Sequence, residues 1–288
     1  ITPRQGESAI LNMMNFISFS SGSSGNCYYI TAQQYGLIID LGIGIRKFKK
    51  YYKDYGFIFP EIKGILVTHE HADHIKAVGI LANELRIPVY ATELVHRGMI
   101  RNIRMQKKVE SQYVRPFEHD TTIEIGPFRV TSFKTPHDST DNSGYFIQYR
   151  DTNLCIITDA GHVNDSMKHY IQKSINLVIE ANYDKQMLEQ GPYPAYLKHR
   201  IKSENGHMCN EELAQYLSEN VSPQIQHIWL CHLSEENNSP EKAQQTIVNA
   251  FKEKGWRNSE KYRTFESENA FKSISIVKKR KKDLAITK

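Results

Sequence analysis

Short apolar segments alternate along this chain with amphipathic segments of helical period. Brief runs rich in Ile, Val, Leu, Phe and Tyr are typical of buried strands. Segments whose apolar residues recur three and four positions apart predict helices. The predicted strands cover 15–19, 27–30, 36–40, 64–68, 122–125, 128–133, 145–149, 154–158, 177–180 and 226–231, and the predicted helices cover 45–55, 74–86, 94–101, 167–173, 210–219 and 240–254.

The predicted strand at 64–68 leads into a run that holds three imidazoles and two carboxylates. Alternate side chains share one side of an extended segment, so His69 and His71 can bind one ion from the same face. Asp73 and His74 fall in the first turn of the next helix, where the chain changes direction and can offer ligands to a second ion. Imidazole combined with carboxylate favours zinc, manganese or iron over calcium or magnesium.

The pattern His-x-His-x-Asp-His over 69–74 resembles the signature of the metallo-β-lactamase fold, and further motifs of that family follow in order. Asp40 resembles the aspartate that orients metal ligands without binding the metal itself. The resemblance implies an α/β protein with an αββα sandwich in one domain. It also implies two divalent ions, zinc in the first place and manganese or iron as alternatives, bound by His69, His71, Asp73, His74, His137, Asp159 and His232.

A closer resemblance within this fold concerns nucleases. Glu180 and His207 resemble a glutamate and the histidine that it orients beside the metals of tRNA 3′-processing enzymes (RNase Z). Segments 18–26, 180–184, 206–210 and 232–238 resemble markers of the YycJ/WalJ group, although Met208 and Cys209 depart from its usual Leu and Ser. The resemblance implies an exonuclease that acts on DNA.

The expected reaction is hydrolysis of a phosphodiester bond by a hydroxide held between the two metal ions. Either His207, oriented by Glu180, or Asp73 would manage proton transfer to the leaving group. Small residues in the Ser/Gly-rich loop let a phosphate approach the backbone closely, and a basic cluster at 198–202 lies between two site motifs. The expected substrate contacts are Ser23, Ser24, Asn26 and Arg200.

Two other functions stay open at this point. One is a small-molecule hydrolase of the same fold that acts on an ester, lactone, thioester or cyclic phosphodiester. The other is a non-catalytic member that uses the domain for binding.

The RNase J class inserts a large domain between the bridging aspartate and the last ligand, and the short interval from Asp159 to His232 has no room for it. A long tRNA-holding arm is not visible either, which favours a simpler nucleic-acid end as the substrate.

Composition refines this interpretation without changing it. The chain has 288 residues and a formal net charge of +5, and its site motifs extend from Asp40 to His232, so one domain is expected. The predicted organisation is an N-terminal extension at 1–13, the domain at 14–277 and a basic tail at 278–288.

No apolar run approaches the roughly 20 residues of a membrane span, and the opening residues lack a secretion signal, so a cytoplasmic protein is expected. The four cysteines lack paired spacing and are expected to be reduced.

Overall fold

Two seven-stranded sheets form the centre of the protein. The structure is a computed structural model, and it describes residues 14–58, 61–255, 262–264 and 274–276. The first sheet has the strand order β14-β1-β2-β3-β4-β5-β6, and the second has the order β13-β12-β11-β10-β9-β8-β7. The strands are β1 Met14–Ser20, β2 Cys27–Ala32, β3 Tyr35–Ile39, β4 Ile62–Leu66, β5 Val89–Ala91, β6 Val114–Pro116, β7 Thr122–Ile125, β8 Phe128–Lys134, β9 Ser143–Tyr149, β10 Thr152–Ile157, β11 Asn176–Glu180, β12 His227–Cys231, β13 Tyr262–Thr264 and β14 Ile274–Ile276.

Helices cover the outer face of each sheet. They are α1 Ile45–Asp54, α2 Ala72–Ile75, α3 Val78–Leu85, α4 Glu93–Arg101, α5 Asp165–Lys173, α6 Lys185–Gln190, α7 Ala195–Ile201, α8 Asn210–Asn220 and α9 Pro240–Glu253. The side chain of Ser239 accepts a hydrogen bond from the backbone of Lys242 and so caps α9, as the sequence predicted.

The period-two pattern of the strands divides the core into three layers. Phe16 and Tyr28 point from the first sheet towards Trp229 of the second, in an apolar layer between the two sheets. Their neighbours along the same strands, Ile17 and Tyr29, point the other way and pack under the helices of the first sheet. A third layer lies between the second sheet and helices α5, α8 and α9. The order helix, sheet, sheet, helix confirms the predicted αββα sandwich.

The strand directions bring the site motifs to one edge of the sandwich. In the first sheet β3 and β4 are parallel. In the second sheet β10, β11 and β12 are parallel, and β8 shares their direction because it and β10 both lie antiparallel to β9. The carboxyl ends of these strands therefore lie at the same edge. The predicted metal ligands, Asp40 and Glu180 come from the ends of these strands or from the segments that follow them, whereas Arg200 lies in α7 and His207 lies between α7 and α8.

Most predicted elements are found with ends within two residues of the prediction, but the single helix predicted over 74–86 is wrong. The structure has two helices there, α2 and α3, separated at Lys76 and Ala77. The backbone N–H of Leu41 donates to the carbonyl of His74, and the N–H of Ala77 donates to the carbonyl of Leu41. These bonds replace the helical bonds at that point, because the segment after β3 packs against the helix start. Strands β5, β6, β13 and β14 and helices α6 and α7 were not predicted.

Several other predictions have structural outcomes. The predicted extension at 1–13 and the tail at 278–288 lie outside the described residues, and the domain boundaries stay predictions. In the described part of the chain, none of the helices combines the length and the apolar character that crossing a membrane requires. Cys27, Cys155, Cys209 and Cys231 are all buried and free, in agreement with the prediction that they are reduced.

Candidate metal centre

Three histidines form one group of potential metal ligands. His69 and His71 follow β4, and His137 follows β8 on the other sheet. Their candidate ligand atoms all lie within 4.8 Å of one another. The spacing of the motif predicts this proximity for His69 and His71, and the family resemblance implies it for His137. The Nδ1 atom of His137 donates to the carbonyl of Gly206 at 3.0 Å, which fixes the ring and leaves Nε2 towards His71. Such a bond to the distal nitrogen is typical of metal-binding histidines.

A second group contains Asp73, His74 and His232, whose candidate ligand atoms also lie within 4.8 Å of one another. Asp159 lies between the two groups. One of its carboxylate oxygens is 3.2 Å from Nε2 of His74, and the other is 3.8 Å from Nε2 of His137. This position suits a carboxylate that bridges two ions, the role that the sequence assigned to it.

Three buried atoms in this cluster have no hydrogen-bond partner among the described residues. They are Nε2 of His69, Nε2 of His232 and one carboxylate oxygen of Asp159. Buried polar atoms are nearly always satisfied in folded proteins, because leaving them unpaired costs about 1–3 kcal/mol. A divalent cation would satisfy all three atoms, so the residues present fit the predicted metal pair.

The electrostatics of the cluster favour a cation as well. Burial, reinforced by the neighbouring His74, lowers the pKa of His69 and keeps its ring neutral. Burial has the same effect on His232, but the carboxylates of Asp159 and Asp73 outweigh it and raise its pKa to about 10. Burial would raise the pKa of Asp73, yet His74 outweighs it, so the pKa of this carboxyl stays well below its ordinary value. The carboxylates are therefore ionised and ready to bind metal.

Asp40 supports the metal-binding loop without facing the metal cluster directly. Its carboxylate accepts a hydrogen bond from Nδ1 of His74 at 2.7 Å and bonds from the backbone and hydroxyl of Thr68, both at 2.8 Å. The residue has a φ of 57°, and His232 has a φ of 53°. Both adopt the uncommon left-handed conformation directly after a strand, where function often accounts for such strain. The geometry agrees with the orienting role predicted for Asp40.

Glu180 and His207 meet at this edge, as the sequence predicted. Nδ1 of His207 donates to Oε1 of Glu180 at 2.8 Å. The same oxygen also accepts from Nδ1 of His232 at 2.7 Å, so one carboxylate orients both histidines. Its other oxygen accepts from the backbone N–H groups of Ala160 and Met208. Burial would lower the pKa of His207, but Glu180 outweighs it and the pKa is raised.

The predicted substrate contacts lie in different environments. Ser23 and Ser24 are exposed and line a cleft beside Asp73. Arg200 lines an adjoining cleft, although its guanidinium also pairs with Asp138 at 2.5 Å. Asn26 is fully buried, and its amide nitrogen lies 2.9 Å from Nε2 of His74, so it contacts a predicted metal ligand from inside the protein. Of the four contacts, Asn26 is placed to support a ligand and does not reach the cleft surface.

Four further residues hold the site together and had no predicted role. Thr68 lies between Asp40 and the rings of His69 and His74. The amide groups of Asn142 and Asn182 donate to the backbones of Asp159 and His232, at 2.6 and 2.8 Å. The hydroxyl of Ser21 accepts from the backbone of His232. Ser21, Thr68 and Asn182 lie inside motifs that the sequence singled out, but nothing local distinguished Asn142.

Comparisons with known proteins agree with this geometry. A family model described as a beta-lactamase superfamily domain matches residues 38–225. Exodeoxyribonuclease YycJ of Bacillus anthracis is 35% identical over 246 residues, which cover 84% of this chain and 91% of that protein. Exodeoxyribonuclease WalJ of Streptococcus pneumoniae is 34% identical over 230 residues, which cover 80% of this chain and 85% of that protein.

Solved structures support the fold. The metallo-beta-lactamase fold protein YhfI of Bacillus subtilis has a TM-score of 0.67 and 17% identity, with 92% of this chain and 99% of YhfI covered. The short form of human tRNase Z has a TM-score of 0.62 and 14% identity, with 91% of this chain and 99% of that chain covered. The chain therefore belongs to the metallo-β-lactamase superfamily, within its YycJ/WalJ group.

Proposed function

We propose that this metallo-hydrolase is a DNA exonuclease that cleaves phosphodiester bonds with two divalent ions, zinc in the first place and manganese or iron as alternatives. The observation that carries the proposal is His207, held by the buried Glu180 directly beside both groups of metal ligands. A phosphodiester has a poor leaving group that gains from a proton donor. The names of the YycJ and WalJ relatives support DNA as the substrate.

A metal pair bound by these residues would supply Lewis-acid activation of water and of the scissile phosphate. His207 is 19% exposed at its side chain, and Glu180 engages Nδ1, so Nε2 is available to the substrate. Because Glu180 raises the pKa of His207, the ring keeps a proton that it can donate to the departing oxygen. Asp73 was the alternative proton donor. His74 holds the pKa of this carboxyl below its ordinary value, and a carboxylate that binds metal is ionised, so we assign the donor role to His207.

The substrate class is tested with purified protein loaded separately with zinc and with manganese. The substrates are end-labelled single-stranded and double-stranded DNA, the matching RNA, a generic phosphodiester and a lactone. We expect a ladder of products from one end of the DNA. Turnover of the lactone with DNA left intact would instead establish the small-molecule alternative.

The residue roles are tested by two variants and a control. His71→Ala should lose metal and hydrolysis together, because it removes a ligand of the first group. His207→Ala should retain metal but lose about 100-fold or more in turnover, the usual contribution of a general acid. His169→Ala, which alters an exposed histidine on α5, should change neither quantity. A metal-replete His207→Ala protein that cleaves DNA at the normal rate would contradict the proton-donor role.

A further inference from the structure

A large apolar side chain is exposed to solvent at the rim of the cleft that contains two of the predicted metal ligands. Ile103 follows α4 and is 96% exposed, while it lines a cleft of about 510 Å³ together with His71, Asp73 and Arg200. Single exposed apolar residues are common on protein surfaces and need no explanation by themselves. This one is different because it lies beside the metal ligands and because its backbone is firmly held.

The neighbouring Asn102 anchors the tip that carries Ile103. Its amide group donates to the carbonyl of Glu70, inside the metal-binding loop, at 2.7 Å. Its side-chain oxygen accepts from the backbone of Arg104 at 2.9 Å, and its carbonyl accepts from the ammonium group of Lys108. These bonds hold the backbone on both sides of Ile103 relative to the metal-binding loop, and the side chain of Ile103 is exposed to solvent.

Cationic side chains surround this tip. Arg101 and Arg104 are exposed, and their guanidinium groups have no partner in the described part of the chain. A second cleft of about 450 Å³ contains Lys76 and the Ser/Gly-rich loop, and it shares Asp73 and Arg104 with the first. Together the two clefts form a basic path that runs past the predicted metal ligands. Arg104 lies where the two clefts meet. Phosphates of a nucleic-acid strand are the ligands that such a path favours.

The depth of the metal site constrains the form of the substrate. Of the predicted ligands, only His71 and Asp73 are partly exposed, and the other five are buried. A phosphate that reaches these ligands from a base-paired end must bring its own strand into the cleft and leave the complementary strand outside. The terminal base pairs must therefore open at the rim, where Ile103 stands.

We infer that Ile103 is a wedge that enters between the terminal bases of a duplex and guides one strand along the basic path to the metals. Proteins that unstack bases use apolar side chains of this kind, isoleucine among them. Arg101 and Arg104 would hold the phosphates on either side of the opened pair. The inference rests on the proposed DNA exonuclease activity, and it names duplex ends as the substrate whose cleavage needs this residue.

The test compares Ile103→Ala on a blunt DNA duplex and on the same labelled strand without its complement. We expect cleavage of the duplex to fall by about tenfold or more, since the terminal bases must unstack without the wedge, while cleavage of the single strand stays within about twofold. Ile103→Met, which keeps an apolar wedge, should restore most of the duplex activity. Ile58→Ala is the matched control, because Ile58 is 59% exposed and precedes β4, whose other end leads to the site.

Three results would overturn the inference. In the first, Ile103→Ala loses cleavage activity equally on the duplex and on the single strand. In the second, Ile103→Ala cleaves the duplex at the wild-type rate. In the third, the wild-type protein cleaves single strands but not blunt duplexes. A change of oligomeric state in Ile103→Ala, measured by sedimentation, would show instead that this tip binds a second copy of the chain. A metal-loaded wild-type protein that cleaves no nucleic acid would refute the proposed function itself, which is a separate outcome.

Discussion

Replacing Gly42 with alanine tests how the segment after β3 positions the metal-binding loop. A Cβ atom at this position would lie 1.5 Å from the carbonyl oxygen of Asp73 and 2.0 Å from its carbonyl carbon. Backbone bonds hold the surrounding segments together, since Gly42 N donates to the carbonyl of Asn26 and Asn26 N donates to the carbonyl of Asp73. The clash is with backbone, so no side-chain rotation can relieve it.

The size of the effect follows from these distances. One of the two segments must shift by about 1.5 Å before the new carbon is 3.0 Å from the carbonyl of Asp73. Metal–ligand distances in protein sites are expected to lie within about 0.2 Å of their ideal values. We expect the metal affinity of Gly42→Ala to fall by at least about 10- to 100-fold, the range seen when groups that orient ligands are lost. Overpacking should also lower the free energy of unfolding by about 1–3 kcal/mol.

Gly44→Ala is the matched control for this variant. Gly44 lies two residues further along, precedes α1 with a φ of −64°, and a Cβ there would meet nothing within 4 Å. Its cost should stay within about 1 kcal/mol, the usual effect of a helix-cap substitution. The assay measures bound zinc after dialysis at a fixed free zinc concentration, thermal unfolding without metal, and the rate of DNA hydrolysis. If Gly42→Ala and Gly44→Ala retained equal zinc and equal stability, the proposed coupling between the two segments would be refuted.

Three further predictions concern the support of the metals. Asp40→Asn keeps the shape and tolerates the left-handed conformation, so its loss of charge beside His74 should weaken metal binding by about 10- to 100-fold in a competition titration; unchanged affinity would contradict this. Glu180→Gln should lower kcat by about 100-fold at saturating zinc, because His207 loses the carboxylate that keeps it protonated; a kcat within twofold of wild type would argue against that role. Chelation should lower the melting temperature, because metal bound to the folded state at 100 times its Kd contributes about 2.7 kcal/mol. Equal melting temperatures with and without the chelator, measured by calorimetry, would exclude metal binding.

Much of the candidate metal site could be predicted from the sequence because metal ligands obey local rules. His69 and His71 share a side of an extended segment, and Asp73 and His74 begin the next helix, so four ligands could be read from six positions. Apolar runs marked the strands that deliver the more distant ligands. The order of these motifs along the chain resembled one family, and the comparisons confirmed that family.

Other features depended on contacts that no local pattern encodes. The helix predicted over 74–86 is interrupted because Leu41, more than thirty positions earlier, bonds to the backbone at its start. Asn26 was predicted as a substrate contact, but the packing of the loop that carries it turns its amide towards His74. Glu180 was predicted to orient His207, and only the fold placed it within reach of a second histidine as well.

The sequence by itself determined the chemistry of this protein, because the types of side chain and their positions after apolar strands fix which atoms can bind a metal. The tertiary structure alone decided how these atoms are arranged and what surrounds them. Parallel strands bring distant loops to one edge, where Glu180 serves two histidines and Ile103 stands beside the ligands on a fixed tip. Such arrangements arise from backbone bonds between remote segments, and the residues of either segment alone do not specify them.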